Sequence, residues 1–180
     1  GCCGTTPKHI RGLHHLLVNN VKPPKKLMPA VYSTDRQSGC GQEAAEEKTE
    51  LIQKLERGEK IFVVELDPPF DANDTKLMDG ASLLRDIGVD IITLADSPLA
   101  RPRADSIASA IKMRYTRQME AMPHISCRDK NVIAHRAQLL GMHMNGLRHA
   151  LIVTGDPIAR GDRESIKSVF NFNSIKLMKY

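Results

Sequence analysis

Tryptophan is absent from the 180 residues, and aromatic side chains as a group reach only 4%. Nucleic-acid binding is therefore not expected: there is no platform on which bases can stack, and the lysines and arginines behind the net charge of +5 are scattered, with only Lys25-Lys26 adjoining in a polar stretch. No run approaches the roughly 20 apolar residues of a membrane span, and nothing resembles a signal peptide, so no membrane partner is expected and a cytoplasmic setting is the default. Four cysteines, two adjacent and two isolated at Cys40 and Cys127, make no disulfide framework and suit a reducing compartment. No GxGxxG follows any apolar run, which counts against a dinucleotide-binding sheet. An initiating methionine is also missing. The chain opens in a Gly-Cys-Cys-Gly turn and closes in NSIKLMKY, which reads as a helix cut short, so it is expected to be an internal piece of a longer protein.

What is present is ordinary for one globular core: 41% hydrophobic and 26% charged residues. The stretch around which the rest is organised is IFVVELDPPF, residues 61–70. Ile61 to Val64 read as a strand buried on both faces, and Pro68-Pro69 cannot continue a central ladder. Glu65 stands among apolar neighbours at the strand end, where partial burial would raise a carboxyl pKa and let it deliver a proton near neutrality. A salt-bridged Glu65 is the competing reading.

In chain order, Thr6 before Pro7 predicts a helix start, with Ile10, Leu13, Leu16 and Leu17 at helical spacing. The glycines around Cys2 and Cys3 permit both thiols to turn toward one zinc ion, which would need at least one further ligand; incidental cysteines are the bland alternative. His9, His14 and His15 read as helix-surface residues. Residues 23–41 lack periodicity and read as a linker. From residue 42 helices and strands alternate. Leu51, Ile52 and Leu55 mark a helix and residues 61–66 a strand. A helix after Asp74 carries Leu77, Met78, Ala81, Leu84 and Ile87 inward, and residues 90–95 form the next strand. Then come a helix from about Asp105 with Ile107, Ala108, Ile111 and Tyr115 inward, a strand around Ile125, a helix capped by Asn131 through Leu139 and Leu140, and a strand at 150–153.

Strand starts about thirty residues apart are βαβ spacing, so the strands are expected to be parallel. The fold expectation is α/β: a partial (β/α)8 TIM barrel of about four βα units, preceded by a short helical tail (1–22) and the linker. A doubly wound sheet is the alternative. The barrel is favoured because Glu65 and Asp67, Thr93 and Asp96, Ser126 and Arg128, and Thr154 and Asp156 all fall at or just past strand C-termini, the face on which barrel enzymes keep their sites.

From the residues alone two chemistries stay open. Asp67, Asp96 and Asp156 can gather a divalent cation, as in a metal-dependent lyase or aldolase. Alternatively Glu65 is a general acid and Asp156 a fixed charge beside a bound cofactor, with Thr93 and His124 holding cofactor oxygens. A binding module that kept the fold without chemistry is the non-enzyme reading.

Five short motifs add to this. VELDPP at Glu65, DIITLADSP at Thr93, PHISCRD at His124 and TGDP at Asp156 resemble, in order and spacing, the first half of a methylenetetrahydrofolate reductase barrel over about residues 42–180. GCCGTTPKHIRG resembles the closing zinc motif of homocysteine S-methyltransferases, and the two in this order resemble the bifunctional bacterial proteins that fuse both activities. The resemblance implies FAD as cofactor, NAD(P)H as electron donor, a folate substrate, and zinc with homocysteine in the methyltransferase portion, serving methionine formation. It implies Glu65 as the acid that protonates the folate's bridging nitrogen, and Asp156 as the carboxylate beside flavin and pterin. Thr93, His124 and the Thr154-Gly155-Asp156 turn become flavin or nicotinamide contacts, and Cys2 and Cys3 two of three zinc thiolates. Thr154 replaces an arginine of the single-function enzymes, and Leu94 a frequent tyrosine. Residues 1–180 by themselves are expected to be inactive, and a homo-oligomer is compatible with all of this.

Overall fold

The computed structural model describes residues 6–19 and 48–180. The chain divides into two compact units, Gly1–Ala44 and Ala45–Tyr180. In the first, α1 spans Pro7–Val18, with proline at the first helical position as expected. The Thr6 carbonyl accepts from the His9 N–H at 2.9 Å, and the Thr6 N–H donates back to His9 Nδ1 at 3.1 Å. His9, His14 and His15 are exposed, as expected. Ile10 is exposed as well, while Cys2, Cys3, the linker at 23–41 and the side chains of Leu13, Leu16 and Leu17 lie outside the described residues.

The second unit is a four-stranded parallel sheet in the order β1-β2-β3-β4, formed by Val63–Leu66, Ile91–Leu94, Ala121–Ser126 and Leu151–Val153. Helices α3 (Thr75–Asp86), α4 (Ser106–Arg117) and α5 (Val132–Met144) follow the first three strands, α2 (Glu50–Glu56) precedes β1, and α6 (Ser174–Lys179) packs beside β4. Each strand pairs with the next in sequence, the arrangement of half a (β/α)8 barrel.

Local chemistry sets the helix boundaries. The side chains of Thr49, Asp105, Asn131 and Asn173 each accept from the backbone N–H three residues on, satisfying a donor that the first turn leaves unpaired. Asp74 precedes α3 without such a bond and reaches across to Lys112 of α4 instead, at 2.5 Å. Gly88, at φ +87°, turns the chain out of α3 toward β2.

Strand alternation divides the side chains between two faces. Leu66, Ile92, Leu94, Ala121, Ile125 and Ile152 pack with Leu77, Met78 and Ala81 of α3, Ile107, Ala110 and Met113 of α4, and Met142 of α5 in the core. The residues between them, Glu65, Thr93, Met122, His124 and Ser126, take the opposite face.

Several expectations about burial need correction. β1 begins at Val63 and is an edge strand, so Phe62 and Val63 are 61% and 52% exposed where a strand covered on both faces was expected. The stripe of α2 is not buried. Ile87, Ala108 and Tyr115 are also exposed. On α4 the buried residues are Ser106, Ile107, Ser109, Ala110 and Met113, with Ile111 half-buried against the core; on α5 they are His135 and Met142.

Candidate active site

The C-terminal ends of all four strands converge on one set of loops, and that is where the polar side chains gather. Glu65 pairs in register with Thr93, and Thr93 with Met122. His124, one alternation further along β3, brings its Nε2 to 3.6 Å from Oε2 of Glu65. Two residues 59 positions apart, on strands separated by β2, thus meet across the sheet. The Glu65 side chain is 61% exposed, against the partial burial expected of it. As the penultimate residue of an edge strand it has neighbours on one side only.

His124 is the more buried member, its side chain 12% exposed. Ser106 Oγ of α4 donates to its main-chain carbonyl at 2.8 Å, but its Nε2 is buried without a hydrogen-bond partner. Burial holds this imidazole below the ordinary 6.5, against the opposing pull of the Glu65, Asp96 and Asp67 carboxylates. A buried ring nitrogen with no partner is a place for a ligand's hydrogen-bonding group. Two further histidines, His135 and His149, are also depressed below 6.5, chiefly by burial. A depressed base binds its proton more readily in the unfolded chain, so these three contribute stability that is full above about pH 6.5 and is lost as the pH falls below it. The midpoint of urea unfolding should therefore drop between pH 7.5 and pH 5; a flat midpoint over that range would contradict the burial of these rings.

The three aspartates do not gather. Asp67 pairs with Arg103 at 3.1 Å, and the same guanidinium donates to the Pro68 carbonyl at 2.8 Å and lies 3.9 Å over the Phe70 ring, so Asp67 shapes the Pro68-Pro69 turn. Asp96 Oδ2 accepts from Lys130 Nζ at 2.8 Å and from the Ser126 N–H at 2.9 Å, joining the ends of β2 and β3. Asp156 Oδ2 accepts from the Leu99 N–H at 2.7 Å. With each carboxylate engaged by a different partner, the shared-cation reading loses its ligand set. Among the described residues no group of three metal-ligating side chains is placed to hold an ion.

The loop that Asp156 holds is strained. Ser97, Leu99 and Ala100 adopt φ of 46°, 55° and 58°, left-handed values that cost non-glycine residues roughly 1–3 kcal/mol each. Gly155, at φ +95°, sits against the end of β3: a Cβ there would overlap Ser126 Oγ and lie 2.9 Å from the Cβ of Arg128. Thr154 is occupied differently, its Oγ1 accepting from the Ser174 N–H at 3.2 Å where α6 begins. Leu94 belongs to the helix-side core, so the departure at that position does not touch the strand-end face. Arg128 is buried at this face, and nothing in its sequence spacing foretells a guanidinium 3% exposed among three loops.

A groove of about 1110 Å³ runs between the end of β1 and α3, lined by Leu66, Pro68, Phe70, Leu77, Leu83 and Arg103 among others. Glu65, Thr93, His124 and Asp156 do not line it, so its size does not make it the reaction site. Among the described residues no helix is long and apolar enough to cross a membrane.

No curated protein matches the chain. A family model described as methylenetetrahydrofolate reductase matches residues 50–180, the stretch that holds every element of the second unit and all of the strand-end polar residues. A parallel half-barrel with its polar side chains at the strand C-termini, matched over well above half its length, belongs to the methylenetetrahydrofolate reductase family, and its function is reductase-like in folate one-carbon chemistry.

Proposed function

We propose that the strand-end face carries the folate-reducing chemistry of an FAD-dependent reductase that converts 5,10-methylenetetrahydrofolate to 5-methyltetrahydrofolate with NAD(P)H. The observation that carries the proposal is the Glu65–His124 pair: an accessible carboxyl beside a buried, partnerless ring nitrogen, on the face that also holds Thr93. The accessible carboxyl can reach a substrate atom, and the histidine nitrogen offers a fixed polar contact to a planar ring.

Glu65 gives its proton to the bridging nitrogen of the folate. The five-membered ring then opens to an iminium, whose carbon becomes electrophilic. The flavin, when bound and first reduced by NAD(P)H, would supply the hydride that turns this carbon into a methyl group and would itself return to the oxidised state. His124 Nε2, Thr93 and the Thr154-Gly155 turn would hold the flavin or nicotinamide, and the Asp156 carboxylate would stand beside flavin and pterin and accept from pterin N–H groups.

The test is made on the full-length protein reconstituted with FAD. NAD(P)H consumption should require the folate, and 5-methyltetrahydrofolate should accumulate in equal amount. Consumption that ignores the folate would refute the proposal. In the same reading the protein also carries a zinc-dependent homocysteine S-methyltransferase portion, with Cys2 and Cys3 as two of its thiolate ligands. Cys2→Ala should then lower the zinc content of the full-length protein, and an unchanged content would remove the assignment.

A further inference from the structure

Arg128 lies just past β3, and its cationic side chain is 3% exposed. Such burial is tolerated only when every donor is satisfied, and here all five guanidinium N–H groups are used. Nε and Nη2 donate to the two oxygens of Asp129 at 2.8 and 2.7 Å, Nη1 and Nη2 to the Ser97 carbonyl at 3.2 Å each, and Nη1 to the Asp156 carbonyl at 3.4 Å. The Arg128 carbonyl accepts from the Val169 N–H at 2.8 Å, drawing in a fourth segment.

These contacts form a closed circuit through Asp156. The guanidinium holds Ser97, two residues before Leu99, and the Leu99 N–H in turn holds Oδ2 of Asp156, whose own carbonyl returns to the guanidinium. The loop that completes the circuit has three non-glycine residues in the left-handed region, a conformation that persists only when its surroundings impose it. Leu99 is 66% exposed, so its own side chain contributes little to that restraint.

We propose that Arg128 is the positioning residue of the strand-end face. It holds the 97–100 loop in its left-handed form, and that loop fixes one oxygen of Asp156 and leaves Oδ1 for the ligand. The role assigned to Asp156 rests on the proposed function, whereas the circuit itself does not. Arg128 touches neither substrate nor cofactor. It acts through Asp156.

The experiment compares the full-length wild type with Arg128→Lys, Asp156→Ala and the double variant, reading amide hydrogen exchange over residues 97–101 alongside the two half-reactions. Lysine keeps the charge and loses the planar fork. Exchange over 97–101 should quicken by about tenfold or more in each single variant, and no further in the double, because both cut the same circuit. The folate half-reaction of Arg128→Lys should fall roughly 10- to 100-fold, as misplacement of a positioned group does, and by more than the nicotinamide half-reaction. Wild-type protection of 97–101 in Arg128→Lys, or losses that multiply in the double variant, would overturn the proposal. If Arg128→Lys does not fold, Leu99→Pro at an exposed position removes the N–H and cannot adopt the φ of 55°, so it breaks the left-handed form of the loop and must lower the folate half-reaction by the same range; full activity there would be equally fatal. Loss of protection in a protein that never reduces folate would count against the proposed function and leave the circuit standing.

Discussion

Glu65→Gln is expected to slow the folate half-reaction by roughly 10²- to 10⁴-fold, the range in which a positioned general acid contributes. The substitution keeps the size and most hydrogen-bonding capacity of the side chain, and it removes the one proton the ring-opening step needs. Reduction of the flavin by NAD(P)H involves no protonation of the folate, so that half-reaction should stay much nearer its wild-type rate. The split between the two is the diagnostic result. Equal losses in both would mean that Glu65 holds the cofactor or the fold, and the acid role would be lost. Its 61% exposure makes a stability effect small, since the side chain gives up few contacts.

Gly155→Ala should be the most destabilising single change on the strand-end face. Alanine at φ +95° is strained whatever the space, and here the space is taken by Ser126 Oγ and by Arg128. Backbone strain and overpacking, each about 1.5 kcal/mol from ranges of about 1–3, give a loss of about 3 kcal/mol. For a chain of this size that is a fall in Tm of roughly 6–12 °C, measurable by calorimetry. Because the displaced peptide is Gly155-Asp156, the variant should also lose folate reduction at temperatures where it is still folded. A Tm within a degree or two of the wild type would contradict the close approach of β4 to the end of β3.

Much of this architecture was legible in residue patterns. The caps at Asp105 and Asn131 and the glycine stop at Gly88 are short-range signals, and each falls where the structure has the matching boundary; the β-branched runs mark the strands, although β1 starts two residues after its run begins. The gathering of polar residues at strand ends followed directly, because parallel βα units place every strand C-terminus on one side. Burial was read less well. An apolar run such as IFVV looks the same in a central strand and in an edge strand, and only the strand order shows that β1 has a neighbour on one side. Helix faces drifted for a related reason: Ser106 and Ser109 are buried although they are polar, and periodicity assigns such positions to solvent. The meeting of Glu65 with His124, and the circuit through Arg128, depend on distances between residues far apart in the chain, for which local spacing holds no signal.

The central claim is that Glu65 protonates a folate on this face, and single turnover tests it most directly. Full-length protein with its flavin chemically reduced is mixed, without oxygen or nicotinamide, with 5,10-methylenetetrahydrofolate, and reoxidation of the flavin is followed by absorbance. The wild type should reoxidise and yield one equivalent of 5-methyltetrahydrofolate, and Glu65→Gln should remain reduced over the same interval. Reoxidation at the same rate in both proteins would contradict the claim.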